Sequence, residues 1–163
     1  MNIQEPADPL PPLAVEFSVN SGDSPFARDE LASLEDLSKF VLMKEGARGE
    51  WVIAVALIDD AALQDLHHTY LDDDSPTDVM TFPLDEVVDT PKGGDIAVSI
   101  DHARSRAAEW GFTPIEEIRF LVVHGLLHLL GWRDESEDQR ARMLEHQATL
   151  LEQFQTAGLM STP

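Results

Sequence analysis

The chain contains no cysteine, so it forms no disulfide and offers no thiolate to a metal; any ion must be held by histidine and carboxylate. Basic residues are scarce as well: 11 Lys and Arg stand against 31 Asp and Glu, a formal net charge of −20. Affinity for phosphate backbones ordinarily rests on clustered Lys and Arg. The balance therefore disfavours a broad nucleic-acid-binding face, and such a partner requires a local basic or metal-centred patch. The plain role of so acidic a surface is solubility. Long apolar runs are absent too, each being interrupted by histidine or charge, so no membrane span is expected. The first residues, M-N-I-Q-E-P-A-D-P-L-P-P, have neither a basic region nor an apolar run of signal length. A cytoplasmic protein without membrane contact is the expectation. A length of 163 residues fits a single domain, 1–163, with residues 1–12 as a loose Pro-rich leader.

What the chain does have is concentrated between Thr113 and Glu135, T-P-I-E-E-I-R-F-L-V-V-H-G-L-L-H-L-L-G-W-R-D-E. Thr113 as N-cap, Pro114 at the first helical position and Glu116 three residues after the cap form a helix-start signature. From Phe120 to Leu130 the helix is apolar on nearly every face and belongs in a core. His124 and His128 interrupt it four residues apart, on one face, within reach of a single ion. Gly131 supplies the left-handed residue that ends the helix, and Asp134 follows the turn as a third ligand. The pattern is H-x-x-x-H-x-x-G-x-x-D. Two imidazoles, one carboxylate and an open position suit a catalytic divalent metal, with zinc the expected ion. Burying two unpaired imidazoles for packing alone carries a cost, which favours the metal. Peptidases with this spacing place a general-base Glu directly after the first His. Here that residue is Gly125.

Around this helix the chain alternates. A strand is expected over Leu13–Val19, then a helix from Pro25 to Glu45 with Leu31, Leu34, Leu37 and Val41 inward and Gly46 closing it. Trp51–Ile58 is a continuous apolar run of the kind found in strands covered on both faces. Asp59 or Asp60 caps a helix carrying Leu63, Leu66 and Tyr70 inward, and L-D-D-D-S-P is a solvated loop. Strands at Asp78–Phe82 and Ile96–Ile100 follow, joined by a loop ending in K-G-G-D. A short helix then packs Ala103, Ala107 and Trp110 and ends at Gly111. The last helix starts at a capping box, Ser136 with Gln139, and carries Met143, Leu144, Gln147, Leu151 and Phe154. The order β-α-β-α-β-β-α-α-α predicts an α+β (α/β-like) fold: a small mixed sheet of about four strands, a long buried metal-site helix and surrounding helices. Thr77-Asp78 and Gly94-Asp95 stand at strand starts and read as architectural, satisfying local amides and, at Gly94, allowing a positive φ.

Three blocks in series resemble one family. They are P-T-D-V-M-T-F-P (Pro76 to Pro83), G-D-I-A-V-S (Gly94 to Ser99) and H-G-L-L-H-L-L-G-W-R-D (His124 to Asp134). They look like the bacterial YbeY-type endoribonucleases, whose blocks read P-T-D-V-L-S-F-P, G-D-I-x-I-S and H-G-x-L-H-L-x-G-Y-D-H, and the similarity covers about residues 50 to 145. The resemblance implies a zinc-dependent, single-strand-specific endoribonuclease acting on ribosomal RNA or ribosomal particles in rRNA maturation and late assembly. It implies phosphodiester hydrolysis by a metal-bound water, and an α/β fold with the metal at the end of a long buried helix. His124 and His128 match two of the family's ligands. Its third His falls on Asp134, which keeps a ligand but brings the formal charge of a zinc site to about +1. The family's L-N-x-x-Y-R segment is here L-H-H-T-Y-L, with His67 and Leu71 in place of the Asn and Arg. Arg133 stands where the family has Asp, and a guanidinium there could present its fork to phosphate or pair with Glu135, Glu137 or Asp138. Two other readings remain open: a metallopeptidase of the same spacing, and a ribosome-assembly binding factor whose metal is not catalytic.

Overall fold

The computed structural model describes residues 11–22, 26–71, 78–85, 87 and 90–161. In chain order the elements are β1 (Ala14–Asn20), α1 (Arg28–Lys44), β2 (Glu50–Ile58), α2 (Asp60–Leu71), β3 (Val79–Pro83), β4 (Lys92–Ser99), α3 (Ile100–Trp110), α4 (Pro114–Leu129) and α5 (Glu137–Ser161). Among the described residues four strands form one mixed sheet in the order β1-β2-β4-β3. The pairs β1–β2 and β2–β4 are parallel, and β3 runs antiparallel to β4 at the edge. This is the α+β architecture that the element order predicts. No helix among the described residues is long and apolar enough to cross a membrane.

The alternation of β2 shows how the sheet divides its faces. Trp51, Ile53, Val55 and Leu57 are buried, and they pack with Ile96 and Val98 of β4 against α1, α4 and α5. The intervening residues face the other side, where α2 buries Leu63 against Met80 and Ala97. Inside the main core, α4 packs against α1, α3, α5 and the β3–β4 end of the sheet, which accounts for its near-continuous apolar run. Each of its fully buried side chains, Ile118, Val122, Val123, Leu126 and Leu127, contributes about 1.5–3 kcal/mol.

Several boundaries and faces differ from expectation. β4 begins at Lys92, so K-G-G-D is strand and not loop. Its glycines make this possible: a Cβ on Gly93 would stand 2.2 Å from the Val52 carbonyl oxygen, and one on Gly94 2.3 Å from that of Phe82. The strand is thus threaded between β2 and β3 where no side chain fits. α1 starts at Arg28 rather than Pro25, and Asp59 is the residue that caps α2, accepting from Ala62 N at 2.7 Å. Tyr70, expected inward, is 64% exposed, and its ring packs edge-on against Phe82 of β3. Trp110 is 67% exposed and Leu144 is exposed as well, both lining a surface groove between α3, α4 and α5. Leu150 takes the buried place on α5. Pro11, expected in the loose leader, accepts a hydrogen bond from Gly49 N at 2.8 Å. Residues 1–10, Pro25, Thr77 and the loop residues 72–76 lie outside the described residues.

Candidate metal centre

The site is built at the C-terminal end of α4. At the other end of the helix Glu116 Oε1 accepts from Thr113 N at 3.1 Å, as the capping signature requires. The helix ends in a Schellman motif: Trp132 N donates to Leu127 O at 2.9 Å and Gly131 N to His128 O at 3.0 Å, with Gly131 at φ 102°. The chain therefore reverses over the last turn of the helix. Immediately beyond, Ser136 and Gln139 form the expected capping box, Gln139 N to Ser136 Oγ at 3.1 Å and Ser136 N to Gln139 Oε1 at 3.2 Å. Asp134 is pinned between two helix ends, and its carboxylate turns back toward the histidines.

His124 Nε2 and His128 Nε2 lie 3.0 Å apart, and Asp134 Oδ2 lies 3.5 Å from the first and 3.3 Å from the second. The far side of each ring fixes the tautomer. His128 Nδ1 faces the Trp132 carbonyl at 3.0 Å, which only accepts, so this nitrogen carries the proton. His124 Nδ1 faces Gln147 Oε1 at 2.8 Å, and the amide is oriented by its own Nε2 donating to Phe120 O at 3.4 Å. Both Nε2 atoms are consequently bare acceptors, and they converge with a carboxylate oxygen. Three acceptors with no proton between them repel one another unless a cation is shared. A tetrahedral ion with ligands about 2.05 Å away separates its ligand atoms by about 3.3 Å, which matches the three observed distances. The donor set fits a metal ion, and His124, His128 and Asp134 are a group able to hold one.

The turn is braced from outside. The Trp132 ring stacks on His146, centroids 4.5 Å apart and 9° from parallel, and His146 Nε2 meets Glu45 Oε1 at 2.6 Å. The centre opens into a cleft of about 430 Å³ lined by His67, Tyr70, Asp78, β3 from Val79 to Phe82, and the three candidate ligands. Arg133 is outside that lining; its side chain is 72% exposed and its NH1 lies 3.8 Å from Glu135 Oε2. Gly125 faces the sheet, where an added Cβ would stand 2.8 Å from Ile96 Cγ2. The place of a peptidase base is thus filled by the core. Sequence reasoning placed Gln147 in an apolar stripe without a role, although a lone amide between Met143 and Leu151 signals a buried polar partner. Trp132, His146 and Glu45 carry no such signal, because stacking across α5 is invisible in local patterning.

The family model described as Endoribonuclease YbeY matches residues 19–155. Endoribonuclease YbeY of Moorella thermoacetica is 35% identical, the alignment covering 84% of this chain and 96% of that one. Endoribonuclease YbeY of Bacillus licheniformis is 32% identical, covering 87% and 95% respectively. The solution structure of TM1509 from Thermotoga maritima superposes with a TM-score of 0.61 over 91% of this chain and 94% of that one, at 24% identity, and shares the fold. The family match runs from the last residues of β1 into α5, and the chain belongs to the Endoribonuclease YbeY family.

Proposed function

We propose that this protein is a zinc-dependent endoribonuclease that cuts single-stranded ribosomal RNA during ribosome maturation in the cytoplasm. The observation that carries the metal part of this reading is the convergence of His124 Nε2, His128 Nε2 and Asp134 Oδ2, with both Nδ1 protons committed elsewhere. Two imidazoles and a carboxylate suit zinc, and the family supplies the RNA substrate class. When bound, the ion supplies Lewis acidity toward a phosphoryl oxygen and lowers the pKa of water at the open position.

The chain's own residues do the rest. Gln147 and the Trp132 carbonyl keep the imidazoles in one tautomer, and Asp134 neutralises part of the ion's charge. The cleft presents the sheet edge from Val79 to Phe82 on one side and Tyr70 on the other. An extended single strand fits such a trough, and an exposed phenol ring gives a base a face on which to stack. Among the described residues lining the cleft there is no Lys or Arg, so a bound ion and hydrogen-bond donors would have to hold the phosphodiester. Zinc content and cleavage of purified ribosomal RNA, compared between wild type and His124→Ala from one preparation, test the reading. Zinc near one per chain and cleavage lost in the variant are expected. A protein that holds zinc but leaves RNA intact would favour a binding factor in assembly.

A further inference from the structure

We propose that Asp78 is the general base of this site, accepting the proton of the oxygen that attacks the scissile phosphorus. The inference rests on the endoribonuclease reading and supplies what α4 lacks, since the position after His124 is a glycine turned into the core. Besides the three candidate ligands, the titratable residues lining the cleft are His67, Tyr70 and Asp78. The Tyr70 ring is packed edge-on against Phe82 and is read above as a stacking surface. His67 is nearly buried on α2 and has interactions of its own. Asp78 is a half-exposed carboxylate at the head of β3, on the wall facing α4.

Its surroundings are built. Ser99 N donates to the Asp78 carbonyl at 3.0 Å, which fixes the backbone at the strand end. The same Ser99 caps α3, its Oγ accepting from His102 N at 3.0 Å. The His102 ring then returns to Asp78, Nε2 to Oδ2 at 3.9 Å. A single serine thus sets both members of the pair. Glu117 of α4 lies seven residues before His124, on the same helix face, with Arg106 of α3 beside it. Burial chiefly raises the Glu117 carboxyl above its ordinary range; Arg106 and His102 oppose this and the charge of Asp78 adds to it. The groups facing Asp78 are therefore His102 from α3 and Glu117 from α4, with Arg106 behind and His67, Tyr70, His124, His128 and Asp134 across the cleft.

In the reaction a water or ribose 2′-hydroxyl oxygen forms a bond to phosphorus while its proton passes to the Asp78 carboxylate. The P–O bond to the leaving ribose oxygen breaks with its electron pair on that oxygen. Asp78 returns the proton to it and is regenerated as the carboxylate. His102 is a positioning residue that holds the carboxylate from behind.

The test uses full-length zinc-loaded protein and ribosomal RNA, with wild type, Asp78→Asn, Asp78→Glu and His102→Gln. For Asp78→Asn we expect kcat to fall about 100-fold or more at unchanged zinc content, with KM within about twofold and partial recovery in Asp78→Glu. Turnover of Asp78→Asn within about threefold of wild type, or loss of zinc from it, overturns the assignment. If Asp78→Asn does not fold, His102→Gln decides: kcat must fall with KM and zinc content unchanged, and turnover equal to wild type overturns the proposal. Wild-type protein that cleaves no RNA would overturn the endoribonuclease reading instead.

Discussion

Each imidazole of the centre is held at the nitrogen that faces away from it, and each holder is neutral: a side-chain amide for His124 and a backbone carbonyl for His128. The anionic charge sits among the candidate ligands themselves, at Asp134, where the family pattern has a histidine. Metal affinity should therefore depend sharply on that carboxylate. Asp134→Asn is expected to lower zinc affinity by about 10- to 100-fold or more, an amide oxygen being a poor ligand, and competition with a chromogenic chelator measures it. Unchanged affinity would remove Asp134 from the ligand set. Glu117 makes a second residue-level prediction. Its carboxyl is raised above the ordinary 4.5, first by burial, with Arg106 opposing and Asp78 adding. A carboxyl whose folded value exceeds its unfolded value stabilises the fold below the unfolded value, and that contribution is lost as pH rises through the folded one. Glu117→Gln should thus raise the melting temperature modestly at pH 7, and the gain should vanish as pH falls below 4.5. An equal gain at both pH values would contradict the assignment of burial as the cause.

At the scale of elements, α4 is the piece on which sheet and site both depend, and at Gly125 it packs tightly on the sheet. A Cβ there would meet three carbons of fully buried Ile96 between 2.8 and 3.2 Å. Gly125→Ala should cost about 1–3 kcal/mol through overpacking, or about 2–4 °C in melting temperature for each kcal/mol. Thermal melts check this, and an unchanged midpoint would show that Ile96 yields freely. The helix ends were legible in the sequence because caps are local: Thr113 with Glu116, Gly131, and Ser136 with Gln139 all act within six residues. The three candidate ligands were legible for the same reason, since helical period and one turn bring them together. What was not legible is tertiary. Tyr70 and Trp110 continue their helices' apolar stripes, yet at those helix ends the described residues leave both rings largely exposed. The early start of β4 depends on glycines admitted by β2 and β3, which no single strand's pattern reveals. Asp78 reads as a strand-start residue until α3 and α4 are placed beside it.

The whole molecule carries a formal charge of −20, and the cleft's described lining offers RNA neither Lys nor Arg. Binding should therefore release few counterions. Neutralising about two phosphates of a single strand gives a slope of about −1.4 in log affinity against log salt. Fluorescence anisotropy of a labelled single strand on zinc-loaded His124-intact protein, from low to moderate salt, measures it. A slope of about −4 or steeper would place the RNA on a basic surface instead, with the arginines along α3 to α5 the first to examine. On the proposed reading an acidic surface leaves a bound ion as the centre of attraction for phosphate, so activity should require the metal. Cleavage of purified ribosomal RNA is the most direct measurement: full-length protein as prepared, after exhaustive chelation, and after stoichiometric zinc is returned, with His124→Ala run identically. The account predicts cleavage that is abolished by chelation, restored by zinc, and absent from His124→Ala throughout. Cleavage that persists in the chelated protein or in His124→Ala would contradict it.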